Sequence, residues 1–477
     1  MGSICPFDVQ FGNEIIALLK TPASRLAQEY FDNLIEKRKC RGIRVKVDGE
    51  LGKGVSANDA FDEGELVFKD QMLLGSQHSI NKMDCFVCSF CFRFIGSIEF
   101  QIGRRIYLQG YGVSANCHSD SSDAEGDCTL MDKSALGECS TSGSMGKTPL
   151  PKEIIESLMD GHLVLPYSEM FSLPSVFPCA GGCEEAFYCS KSCAESDWEM
   201  CHSLLCLGEK SKASSPRALY EFMEHANDTN DIFILAAKAI SYAILRYKNL
   251  KEAYLKGGDE ACNGSTIDMS LLLEAWKPIS MGHKKRWWDC IALPEDVNKC
   301  DEATFRRQIK DVAYESLQLL KAAIFDEECA PLFSLEVYGH IIGMFELNNL
   351  DLVVASPVED YFLYIDDLPE YQKKDAEAVT RPILDALGEN YSICCQGTAF
   401  FPVQSCMNHS CCPNAKAFKR DEDKDGQATI IAVRHIQEGE EVTISYIDEE
   451  LPYGERQKLL ADYGFSCKCP KCLEEEA

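Results

Sequence analysis

Positive charge is scarce in this chain: 47 lysines and arginines stand against 76 aspartates and glutamates, a formal net charge of −29 over 477 residues. Affinity for a phosphate backbone comes from Lys and Arg releasing condensed counterions, so direct nucleic-acid binding is not expected. Long apolar runs are missing too. The most apolar stretch, Ile232 to Leu245, carries Lys238 and falls short of the roughly 18 residues a membrane span needs. The opening MGSICPFDVQFGNEII has no cationic start followed by an apolar run. It does not read as a secretory signal, and disulfides lose their usual compartment. A soluble intracellular chain without membrane association is expected.

Cysteine is what the chain has in excess, 26 residues. In a reducing compartment these are thiols or metal ligands. Around them the chain alternates between helical and β patterns. After Thr21-Pro22, the residues Leu26, Tyr30 and Leu34 repeat at helical spacing up to about Cys40. IRVKV, GVSA and ELVFK then read as short strands between glycine turns. The stretch from about Gly112 to Thr148, rich in Ser, Gly and Asp, lacks a periodic apolar face and is expected to be disordered. From Pro216 to about Phe325 the period is helical again, and after Phe345 the β-branched runs ATIIAV and EVTISY flank the turn Gln437-Glu438-Gly439. The fold class is α+β.

A first constellation orders Cys85-x2-Cys88, Cys179-x3-Cys183, Cys189-x3-Cys193 and His202-x3-Cys206. Four short-spaced pairs of thiolate and imidazole donors suffice for two tetrahedral zinc sites. Cys91 continues the first spacing and remains a candidate to replace one member of that pair. So small a unit has little apolar core, so metal binding would supply its folding energy, with Tyr188 and Trp198 shielding the thiolates. The run from Cys179 to Cys206 resembles the MYND zinc finger, although a long interval separates Cys88 from Cys179 where that family has a short link. The resemblance implies interleaved ligands, Cys85, Cys88, Cys189 and Cys193 on one zinc and Cys179, Cys183, His202 and Cys206 on the other. It also implies peptide binding, because a saturated zinc has no open position for water.

A second constellation joins NHSCCPN from Asn408, the strand ending Ile444-Ser445-Tyr446, and Tyr463-Gly464-Phe465-Ser466-Cys467-x-Cys469-x2-Cys472. Three tail thiolates lack a fourth; Cys411 completes a zinc site across the fold, and Cys412 is nearly as good a candidate. Together with Gly52-Lys53-Gly54 these motifs resemble the SET domain with its post-SET tail, specifically the SET and MYND proteins and their plant trithorax-related members. The parts implied are an N-terminal helical segment (1–40), a first SET part (41–84), the inserted MYND-type finger (85–206), a helical insert (207–330), the SET core with its pseudoknot (331–448) and the post-SET zinc tail (449–477).

That resemblance implies methyl transfer from S-adenosylmethionine to a lysine side chain. Gly52, Lys53 and Gly54 would lie by the methionine part of the cofactor. Asn408 and His409 would bind it, Asn348 would be a further polar contact, and Phe465 would lie against the adenine. Tyr446 would line the methyl-transfer end of the lysine channel, with Tyr463 as a second wall. Glu440 and Glu441 read as surface carboxylates without chemistry. The acidic balance suits a basic tail, so the substrate expected is a histone or another lysine-rich protein, and the placement nuclear, with the cytoplasm also open. Another class of function is a zinc-dependent interaction scaffold whose SET domain no longer turns over; the intact Asn408, His409, Tyr446 and Phe465 count against it. A DNA-binding regulator is disfavoured by the charge; it would have to rely on a local basic patch such as Lys284-Lys285-Arg286.

Overall fold

The structure, a computed structural model, describes residues 5–49, 52–112, 150–256, 268–282, 284–294, 301–420 and 422–476. Apart from Gly112, the stretch expected to be disordered lies outside the described residues.

Helix Ser24–Arg38 buries Ala27 and Phe31, one turn apart, and carries Lys37 and Arg38 in its last turn, where the helix dipole favours cations. It packs on an antiparallel hairpin of β1 (Ile43–Gly49) and β2 (Gly52–Ala57), in which Val45 faces Val55. Gly52 turns the chain with φ of +89°, a left-handed conformation in which a Cβ would be strained. β3 (Leu66–Asp70) and β4 (Leu74–Gln77) follow, and β5 (Phe177–Pro178) and β6 (Phe187–Tyr188) form a small hairpin among the cysteines. The later strands are β7 (Asn349–Val354), β8 (Cys395–Phe400), β9 (Asn408–His409), β10 (Ala415–Ala417), β11 (Ala428–Ala432) and β12 (Glu441–Ile444).

These strands make small sheets ordered β1-β2-β12-β9, β10-β11-β3 and β4-β8-β7. Each combines early and late strands, so the two halves of the chain fold as one unit. Along β12, Val442 and Ile444 point into the core beneath helix Ser24–Arg38. The strand expected to run through Tyr446 stops at Ile444, and Tyr446 lies just past its end.

A second core is helical. Helices Pro216–Thr229, Ile232–Lys256, Met269–Ser280, Glu302–Ile324 and Leu335–Asn348 bury their apolar faces together with the N-terminal Gly12–Leu19. Trp276 joins the two by donating its indole N–H to the Leu18 carbonyl at 2.9 Å.

A third core departs from the sequence reading. Helices Ile98–Tyr107 and Lys152–Met159, from the middle of the cysteine-rich stretch, pack against Pro357–Asp366 and Glu370–Leu387. Ile98, Ile102 and Ile106 form one buried face at helical spacing. The stretch 85–206 is therefore not one metal-held unit, because part of its middle belongs to an ordinary apolar core. Among the described residues, no helix is long and apolar enough to cross a membrane.

Candidate functional site

Three strands converge on Asn408 and His409. β9 pairs in parallel with β12, placing Asn408 beside Thr443 and His409 beside Ile444. The segment leading into β9 is fixed by Asp70, whose side chain is fully buried. It pairs with Arg38 and accepts the backbone N–H groups of Val403 (2.7 Å) and Gln404 (2.9 Å). Asn408 donates its amide to the Lys53 carbonyl at 3.0 Å and to the Glu441 carboxylate at 2.7 Å. Gly54 permits this crossing, since a Cβ there would stand 2.7 Å from the Glu441 carboxylate and 3.3 Å from the Asn408 amide. Asn414, fully buried, closes the loop. It donates to the Glu440 carboxylate (3.0 Å) and the Glu441 carbonyl (2.8 Å) and accepts from the Thr443 N–H (2.8 Å).

An aromatic cluster sits over this crossing. The Tyr446 ring lies 5.4 Å from His409, 5.2 Å from Tyr463 and 6.3 Å from Phe465, and Phe465 lies 5.9 Å from His409. The Tyr446 hydroxyl donates to the Met407 carbonyl at 2.5 Å. Burial, reinforced by Tyr463, pushes that hydroxyl above its ordinary range, so it stays protonated at neutral pH. Burial and the Arg456 cation pull His409 down to about 4, so its imidazole is neutral. Its Nδ1 accepts the Tyr446 N–H at 3.0 Å, which leaves the proton on Nε2, 3.2 Å from the Cys411 sulfur.

The floor of the site is cationic. Lys53 donates to the Met281 carbonyl and Lys284 to the Ser280 carbonyl, the latter at 2.8 Å. Burial and the neighbouring Lys53 charge lower the Lys284 ammonium to about 7. Neither lysine is in an ion pair among the described residues, although acids outnumber bases in the chain. Two adjacent lysines without a counter-charge leave a place for a ligand carboxylate. Asn348, at the end of its helix, donates to the Met344 carbonyl at 2.7 Å.

The cysteines gather in three groups. Cys179, Cys183, His202 and Cys206 form one, with Nε2 of His202 at 3.2 Å from Cys179 and 3.4 Å from Cys183. Cys411, Cys467, Cys469 and Cys472 form another, backed by Arg456 and Gln457. The third is Cys88, Cys91, Cys189 and Cys193, with sulfurs 3.4 to 3.5 Å apart along Cys91, Cys189 and Cys193. Cys85, expected in that set, is elsewhere. It is buried in the core around β8, its thiol hydrogen-bonded to the Ile393 carbonyl at 3.4 Å and pushed up to about 12 by burial. Cys412, the other candidate for the tail group, is exposed and outside it.

Residues 273–447 match the SET domain. Over 477 residues the chain is 62% identical to "Histone-lysine N-methyltransferase ATXR2" of Arabidopsis thaliana, covering 100% of both chains. The chain belongs to the SET-domain protein-lysine methyltransferases. It is also 25% identical over 329 residues to "Protein-lysine N-trimethyltransferase SMYD5" of Gallus gallus, 66% of this chain and 70% of that one. With "N-lysine methyltransferase SMYD2" of Homo sapiens it shares 42% identity over 81 residues, 17% of this chain and 18% of that one.

Several groups in this SET-domain methyltransferase escaped sequence reasoning. Glu441, read as a surface carboxylate, orients the Asn408 amide. Lys284, read as part of a local basic run, turns inward beside Lys53. Lys285 of the same run reaches the Tyr463 carbonyl at 3.5 Å, and Arg286 pairs with Asp289 and Glu336. Spacing gave no sign of the contacts to Asn408, Lys53, Tyr463 and Glu336, because those partners come from distant parts of the chain.

Proposed function

We propose that this SET-domain enzyme methylates histone lysines, using S-adenosylmethionine, and acts in the nucleus. The observation that carries the reading is the crossing at Asn408 and His409, with Tyr446, Tyr463 and Phe465 stacked over it and two unpaired lysines below. The full-length relative named as a histone-lysine methyltransferase supports the substrate class. The charge of −29 supports it too, by attracting basic tails.

S-adenosylmethionine would supply an electrophilic methyl on a sulfonium that is already a good leaving group. The chain's own task is then to position the reactants and to present a neutral amine. Lysine's ordinary pKa of about 10.4 makes that neutral form cost about 4.6 kcal/mol at pH 7. A dry channel walled by Tyr446 and Tyr463 lowers this cost by desolvation, so no dedicated base is needed. The Tyr446 hydroxyl and the Met407 carbonyl offer oxygens for weak contacts with the methyl. The residues suit the cofactor: Lys53 and Lys284 for its carboxylate, Asn408 and His409 for its polar groups, and the half-exposed Phe465 ring for its adenine. Gly52 and Gly54 let the backbone approach it, and Asn348 stays a weaker candidate contact.

Zinc suits the cysteine groups. A tetrahedron with metal–sulfur bonds of about 2.3 Å has edges of about 3.8 Å. The separations of 3.2 to 3.8 Å within the groups fit that cage. We assign the groups around Cys179 and around Cys88 to a MYND-type finger that takes a peptide partner, and the group of Cys411, Cys467, Cys469 and Cys472 to a post-SET tail. Elemental analysis of the purified protein should return about three zinc ions per chain. Cys91→Ser should cost about one of them and Cys85→Ser none; the reverse result would restore Cys85 as the ligand.

Incubation with labelled S-adenosylmethionine and core histones tests the reaction directly. Cofactor binding without any transfer to histones or lysine-rich peptides would overturn it in favour of a scaffold. Lys284→Met should weaken binding of S-adenosylhomocysteine by roughly tenfold, the scale of a lost charge-assisted hydrogen bond. A decarboxylated analogue should bind parent and variant equally. If calorimetry shows the same loss for both ligands, Lys284 does not hold the carboxylate.

A further inference from the structure

A cleft of about 790 Å³ opens between the cysteine group around Cys183 and helix Pro216–Thr229, away from every residue placed in methyl transfer. Its deep side carries Lys82, Arg104 and Lys238. Arg104 is anchored, donating to the carbonyls of Lys82 (3.0 Å) and Met83 (3.2 Å) and lying 5.1 Å from the Phe86 ring centre. Lys238 donates to the Gly75 carbonyl at 2.6 Å. Among the described residues the Lys82 ammonium has no hydrogen-bond or ion-pair partner. Asp197 in the wall is already engaged by Tyr188 and Cys201, and Asp231, behind Lys82 and outside the lining, by Ser79.

The mouth has the opposite sign. Glu184, Glu185, Glu224 and Asp228 are all exposed along it. Glu185 attracts Lys82 and Arg104 across the gap without closing an ion pair. A basic floor asks for an anion, and an acidic rim repels free anions and polyanions such as nucleic acid. A ligand satisfies both if it carries a carboxylate between cations. Phe187 and the half-exposed Tyr220 add apolar wall for the intervening chain, and the volume lies within the usual range for a binding pocket.

We propose that this cleft binds an extended peptide segment in which an acidic side chain, flanked by basic ones, reaches Lys82, Arg104 and Lys238. The acidic side chain forms charge-assisted hydrogen bonds on the floor, and the basic neighbours lie along Glu184, Glu185, Glu224 and Asp228. The site is independent of the methyl-transfer assignment.

The test is fluorescence anisotropy with the full chain saturated with S-adenosylhomocysteine. The probe is a labelled peptide with one central aspartate between paired arginines, which leaves the lysine channel without a ligand. The peptide should bind, and its asparagine counterpart should bind at least roughly fivefold more weakly. Lys82→Met should produce the same loss with melting temperature unchanged or raised, because it removes an unpaired, largely buried charge. The double variant Glu184→Gln, Glu185→Gln should also weaken binding and flatten its salt dependence. Absence of binding, equal binding of the two peptides, or an unaffected Lys82→Met overturns the proposal. Displacement of the peptide by millimolar inorganic phosphate overturns it in favour of a simple anion site.

Discussion

Replacing Tyr446 with phenylalanine is expected to slow single-turnover methyl transfer by roughly tenfold or more, at least about 1.4 kcal/mol of transition-state stabilisation. The ring would keep its place, packed against His409, Tyr463 and Phe465. The backbone bond from the Tyr446 N–H to His409 would also survive. What disappears is the hydroxyl on the Met407 carbonyl, an oxygen on the ring packed against Tyr463 and Phe465. The freed carbonyl is buried, so losing its partner costs about 1 to 3 kcal/mol of stability, small enough to leave the chain folded. Folding, zinc content and affinity for S-adenosylhomocysteine should therefore stay near the parent values while transfer to a lysine peptide falls. Unchanged transfer would remove Tyr446 from catalysis. Loss of cofactor binding would instead mark the hydroxyl as a structural strut.

How much of this was legible in the sequence depended on whether a residue's partners were local. The strands from Ile43 to Asp70, the helix of Ser24–Arg38 and the long helices from Pro216 to Ile324 follow from period and turn chemistry, which act over a few residues. The motif at Asn408 to Asn414 was legible for a different reason: many adjacent residues carry one resemblance at once. Its environment was not. Glu441 read as a surface carboxylate and Lys284 as part of a basic run because nothing in their own neighbourhood shows that they meet Asn408 and Lys53. Cys85 and Cys91 both fit a two-residue spacing with Cys88. The choice falls on Cys91 because the chain buries Cys85 against the β8 segment, far along the sequence. Helix Ile98–Tyr107 was hidden by composition: the cysteines on either side drew attention away from an isoleucine face whose partners begin at Pro357. Local periodicity predicts elements, and long-range burial decides which candidate side chain becomes functional.

The tail should fail with the largest effect on the cofactor. Cys472 closes the group with Cys411, and its sulfur lies 3.5 Å from the Cys411 sulfur. Cys411 in turn sits beside His409, whose imidazole holds the Tyr446 backbone, while Phe465 precedes Cys467 by two positions. The same four-ligand group thus ties down both sides of the aromatic cluster, and a small unit with Leu460 as its main apolar residue has little else to hold it. Cys472→Ser should remove about one zinc per chain, loosen the helix Tyr453–Tyr463, and weaken S-adenosylhomocysteine binding by roughly tenfold or more. Cys189→Ser is the matched control: it should cost a similar amount of zinc, yet its sulfur belongs to a group that contributes nothing to the crossing at Asn408. Calorimetry and zinc analysis on both variants separate the outcomes. Equal cofactor affinity in Cys472→Ser and the parent, with zinc lost, would show that Phe465 and His409 keep their places without the metal and that the tail only decorates the fold.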